Sequence, residues 1–140
     1  MSQAVEAREH ARQQAQAQLQ SIVELITAIE SVRLGGLSLY GDEWLSLEEL
    51  EERARGLPLS VLVRSCWSEP GGQLTPAEYE VLLCTGGPAV RIRGDLSEHG
   101  EPTSARLEAQ DWFAAWETQP TTTDENRALV EFALLFWFGG

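Results

Sequence analysis

Residues 2–33 contain neither Gly nor Pro, and the run closes at Gly35-Gly36. A stretch of Ala, Gln, Glu and Arg with no breaker, stopped by the residue that most readily takes a helix-terminating conformation, predicts one long helix. The rest of the chain must fold against it. Its second half carries Leu19, Ile22, Val23, Ile26 and Ile29 at spacings of three and four, an apolar stripe suited to burial. Its first half has mainly Ala on that stripe, so those turns are expected to be weakly anchored and free to project, fray or pair with a second copy.

A Gly-rich, partly apolar connector at 35–44 leads to Ser46-Leu47-Glu48-Glu49, a capping box that starts a short acidic helix ending at Ala54 or Arg55, before Gly56-Leu57-Pro58. Alternating apolar positions then predict strands at 59–67, 78–85, 89–94 and 103–110, with Gly86-Gly87-Pro88 and the stretch from Ser97 to Pro102 as turns. Asp124 can cap a last helix over 125–138, with Leu129, Phe132, Ala133 and Phe136 facing the core. The expected fold is α+β: a long N-terminal helix, a short acidic helix, a four-stranded antiparallel sheet with one wetter face, and a C-terminal helix. At 140 residues this reads as a single domain over 1–140, a helix at 1–34 joined to an α+β core at 35–140.

Ten basic side chains stand against 22 acidic ones, a formal charge of −12, which excludes a protein that holds nucleic acid by general electrostatics. Every basic residue is Arg, and Lys is absent. The charge is unevenly placed. Residues 42–55 hold Asp42, Glu43, Glu48, Glu49, Glu51 and Glu52 against two Arg, and residues 95–140 hold nine acids, including Asp95, Glu98, Glu101, Glu108 and Asp111, against two more. Residues 56–94 balance at three of each sign. Two readings stand. The charge keeps the chain dispersed, or it forms a docking surface for a basic, nucleic-acid-binding protein, with carboxylates in place of phosphates.

Catalytic constellations are thin. The histidines are His10 and His99, so a Cys-His arrangement would use Cys84 with His99, and no spacing supports it. Cys66 and Cys84 fall in strand segments, without metal-ligand spacing, and read as free, mostly buried thiols or as one bridge between neighbouring strands. Glu108 with Asp111 lacks a third ligand type. No catalytic, cofactor or metal site is expected. Trp112, Phe113 and Trp116 suit either an exposed binding patch or the closed edge of a small core. The N-terminus lacks the apolar run of an export signal, and the longest apolar stretch is too short to span a bilayer, so a cytoplasmic protein is expected.

The block Leu82-Leu83-Cys84-Thr85-Gly86-Gly87-Pro88-Ala89-Val90-Arg91-Ile92-Arg93-Gly94 is followed by Gly100-x-Pro102, Ala105-x-Leu107-Glu108-x-Gln110-Asp111-Trp112 and an aromatic ending at Phe138-Gly139. This string resembles small acidic proteins encoded by phages and other bacterial mobile elements. The likeness covers roughly the C-terminal half, and departs after Trp112, where this chain has Phe113-Ala114-Ala115-Trp116 in place of the relatives' Gly-Thr-Pro-Trp. The resemblance implies a setting inside a bacterial host. It also implies a non-enzymatic inhibitor of host defence, an anti-CRISPR protein among the candidates, acting on a CRISPR-Cas effector or nuclease through a DNA-mimicking acidic surface. Its contacts would be the acids of 42–52 and 95–111, with Trp112 and Trp116 as anchors. The alternative is an accessory protein that self-associates as a homodimer through its N-terminal helix.

Overall fold

The computed structural model describes residues 3–111 and 114–139. Helix α1 (Gln3–Leu34) leads into a two-stranded hairpin, β1 (Ser38–Tyr40) with β2 (Glu43–Leu45), and then helix α2 (Leu47–Arg55). A five-stranded antiparallel meander follows, of β3 (Ser60–Ser65), β4 (Pro76–Cys84), β5 (Ala89–Asp95), β6 (Arg106–Gln110) and β7 (Glu117–Gln119). Helix α3 (Thr123–Ala133) comes last. The α+β layering expected from the sequence holds, and none of these helices is long and apolar enough to cross a membrane.

One face of the meander carries Tyr79, Val81 and Leu83 of β4, Val90 and Ile92 of β5, and Leu107 and Ala109 of β6, all buried. Helices α1 and α3 cover this face, contributing Leu19, Ile22, Leu25, Ile26 and Ile29 from one and Leu129, Phe132 and Ala133 from the other. Arg127 of α3 reaches Glu30 of α1 at 2.9 Å, tying the two helices at their solvent edge. Helix α2 packs on α1 through Leu50 and Ala54, after a complete capping box between Ser46 and Glu49.

The structure corrects several expectations. The sheet has five strands, not four, because Glu117–Gln119 pairs with β6, Leu107 opposite Gln119. Three polar residues carry no hydrophobic period, and backbone bonding alone makes this strand. The connector at 35–44 contains the separate β1–β2 hairpin, closed by a two-residue turn in which Gly41 takes a φ of 62°. Helix α3 is capped by Thr122 rather than Asp124, with Glu125 returning the reciprocal bond, and it ends at Ala133 in a run of tighter turns instead of reaching 138. Strand β6 begins at Arg106, because Thr103 and Ser104 turn their hydroxyls onto Asp95. Cys66 lies beyond the end of β3 and is exposed, and both cysteines are free. The first half of α1 is not weakly anchored: Ala11 and Ala15 are buried in the core, and Arg8 lies 3.5 Å from Glu117 of β7. Small side chains let the helix approach the sheet closely there.

Candidate functional site

Alternation puts the other half of each strand on the uncovered face of the sheet. Cross-strand pairing aligns Leu62 with Glu80 and Arg93, and Leu82 with Arg91 and Glu108. Arg91 is the centre of this face. Its Nε donates to Glu108 at 2.7 Å, its Nη1 donates to Glu80 at 3.2 Å, and its guanidinium lies 3.9 Å from the centre of the Trp116 ring. Glu78 accepts from Arg64 and lies 3.6 Å from Arg93. The Arg64 guanidinium holds the Glu78 carboxyl below the usual carboxylate range.

This lattice settles where two of the expected contact residues sit. Glu108 is buried, with its carboxylate engaged by Arg91 inside the chain. Trp116 is half-buried on the same guanidinium. Asp111 is half-buried at the end of β6, one carboxylate oxygen enclosed with no hydrogen-bond partner among the described residues. Trp112 and Phe113 lie outside the described residues.

The remaining acids form two sets. On the hairpin and α2, Glu43 pairs with Arg53 at 2.9 Å and Glu51 with Arg55 at 3.2 Å. Glu49 closes the capping box, and its bond from the Ser46 backbone N–H lowers its pKa. Asp42, Glu48 and Glu52 are exposed, and none of them forms an ion pair with an Arg among the described residues. The second set occupies the β5–β6 turn: Asp95 accepts from the Ser104 hydroxyl, Glu98 stands 3.5 Å from His99, and Glu101 is exposed. This turn lies beside the start of β4, where Leu96 N–H donates to the Ala77 carbonyl, whereas α2 rests on α1. No hydrogen bond or ion pair joins the two sets among the described residues.

Sequence reasoning passed over one feature beside the first set. Leu39 and Trp44 are directly opposed in the β1–β2 register and therefore share a face, where they are 52% and 64% exposed. Asp42 sits in the turn beside them, and Glu48 lies four residues beyond Trp44. The signal was present in Leu39-Tyr40-Gly41-Asp42-Glu43-Trp44, a two-residue Gly-containing turn between short alternating stretches.

The structure keeps Cys84 and His99 apart. Cys84 pairs with Val90 at one end of β5, and His99 sits in the turn that follows Asp95 at the other. Strand rise alone sets the two ends apart by roughly 15 Å or more. Burial raises the Cys84 pKa, which lowers its thiolate fraction. No cluster of three metal-capable side chains exists among the described residues. Comparison with known protein families, curated proteins and solved structures finds no match.

Proposed function

We propose that this chain is a non-enzymatic inhibitor of a bacterial defence system, acting within the host cell on a basic nucleic-acid-binding protein such as a CRISPR-Cas effector or nuclease. The carrying observation is the exposed Leu39–Trp44 pair, with the exposed carboxylates of Asp42, Glu48 and Glu52, which form no ion pair among the described residues, close to it along the chain. An exposed Trp is an efficient interface anchor, and uncompensated acids around it steer association with a positively charged groove. The resemblance of the C-terminal half to mobile-element proteins gives the same setting. Glu98 and Glu101 extend the acidic character at the β5–β6 turn, while Glu108 and Trp116 act inside the fold. Self-association through α1 has less behind it, since Ala11 and Ala15 already pack within the chain.

The test adds the purified protein to DNA-cleavage reactions of CRISPR effectors and other defence nucleases. Expected is stoichiometric inhibition of one of them, weakened by salt and lost in an Asp42→Lys, Glu48→Lys, Glu52→Lys variant and in Trp44→Ala. Inhibition that survives the charge reversal removes the acidic docking surface, and unimpaired cleavage throughout removes the reading itself.

A further inference from the structure

The meander has two edges. Strand β7 is short and tied to α1 through Glu117 and Arg8. Strand β3 bonds to β4 on one side only, with a register shift at its last step, between Arg64 and Ser65; its six residues contain no Pro and one charged side chain, Arg64, which Glu78 holds. Leu62 on the uncovered face is 56% exposed, and Val63 on the opposite face is 47% exposed. Leu59 and Trp67 flank the strand and are exposed as well. Natural sheets blunt their edges with charge, Pro, bulges or brevity, and an apolar edge open on both faces is a template for a further strand.

We propose that β3 pairs antiparallel with β3 of a second copy of this chain, about a two-fold axis through Leu62, joining two five-stranded sheets into one. Residues opposed in an antiparallel ladder share a face, so a two-fold axis that continues both faces passes through a residue and not between two. Centred on Leu62, the ladder sets Leu62 against itself on one face and Val61 against Val63 twice on the other, with Ser60 opposite Arg64. Every apolar side chain of the strand meets an apolar partner, and no like charges face. Centred on Val63 instead, Arg64 would lie against Leu62.

Charge selects the same strand. Two copies at −12 repel, and residues 56–94, which contain β3, form the stretch where acidic and basic side chains balance. The pairing is independent of the inhibitory reading above and concerns a different surface.

Sedimentation of the full chain over a range of concentrations tests it, beside Leu62→Glu, which places two carboxylates at the axis. Position 62 is exposed, so this variant keeps the fold, as its circular dichroism would verify. Expected is a species of twice the 15.5 kDa chain mass for the natural sequence and a monomer for the variant. In a Cys66→Ser, Cys84→Ser background, Leu62→Cys should oxidise to a cross-linked dimer, whereas Val63→Cys, offset from its own copy by about 7–8 Å, should not. A natural chain monomeric at every concentration, a dimer indifferent to Leu62→Glu, or cross-linking at 63 in place of 62 overturns the proposal. So does a monomer whose β3 edge takes up an extended peptide of another protein.

Discussion

Tyr79 lies directly opposite Gly94 in the β4–β5 register, and its ring fills the place where a Gly94 side chain would stand. A Cβ added at Gly94 would come within 2.7 Å of that ring and 2.0 Å of the Ser104 carbonyl oxygen. The same carbonyl accepts from the Tyr79 hydroxyl at 2.7 Å, and the ring packs 5.0 Å from Phe138. The absent side chain at 94 is thus what lets Tyr79 bind the β5–β6 connection to the C-terminal end of the chain.

Gly94→Ala should therefore destabilise the fold by about 3 kcal/mol, the upper range for overpacking, because one of the clashing groups is backbone. Tyr79→Phe keeps the packing and loses one hydrogen bond, at a cost of about 1 kcal/mol. Urea unfolding of both variants measures the difference. Equal costs would mean that Ser104 and Tyr79 give way to a Cβ at position 94 without strain.

Arg91→Ala strands the buried Glu108 carboxylate without its cation and removes the stacking on Trp116. Removing one partner of a buried pair costs about 3–5 kcal/mol, while replacing both with apolar side chains is often close to neutral. The double variant Arg91→Met, Glu108→Met should then be more stable than Arg91→Ala alone in denaturant titrations. Arg91→Lys should recover little, since an ammonium cannot reach Glu80 and Glu108 with a planar fork.

Much of this architecture is legible in the sequence. The breaker-free run to Arg33, the Ser46 box and the alternation of β4 and β5 each state one local rule, and the structure follows them. What escaped the sequence depended on tertiary placement. The β7 strand exists because β6 offers it a backbone edge, and Ala11 and Ala15 are core because the sheet arrives over them, although Ala is too small to announce burial by hydropathy. Glu108 has the sequence signature of any surface acid, and its burial depends on the Arg91 opposite it, which engages its carboxylate. The placement of Trp44 opposite Leu39 follows from the Gly41-Asp42 turn between them.

Ala15→Leu measures how firmly the first half of α1 is docked. Position 15 is wholly buried, so added volume there should cost about 1–3 kcal/mol, whereas Ala17→Leu on the exposed side should be neutral. Thermal unfolding of the pair decides it. Matching melting temperatures would describe a helix end that does not touch the sheet.

Acid should weaken the fold partly through Glu78. Its pKa is lowered on folding by the Arg64 hydrogen bond, so the contribution is present above the unfolded-state pKa and is lost as pH falls through the folded one. Glu78→Gln should flatten the decline in stability below about pH 5, read from urea midpoints across that range. An unchanged acid limb would mean that the pair has no weight in solution.

The two thiols should separate under alkylation. Cys66 is exposed, whereas Cys84 is half-buried with its pKa raised by burial, so iodoacetamide at mildly alkaline pH should modify Cys66 first. Mass spectrometry of timed samples gives the order, and simultaneous labelling would indicate that the end of β4 opens freely.

Every pairing in the five-stranded sheet joins strands that are neighbours along the chain, whereas the two helices that cover it meet each other from far away, as in the Glu30–Arg127 contact across 97 residues. Hairpin formation is local and fast, and closing a long loop is entropically slower. Helix α1 is made before the sheet it packs on, so the part of its apolar stripe that meets the sheet stays uncovered until β5 and β6 follow. The meander thus fixes a sequence of assembly, in which a helix made before every strand of the sheet is among the last elements to be buried against it.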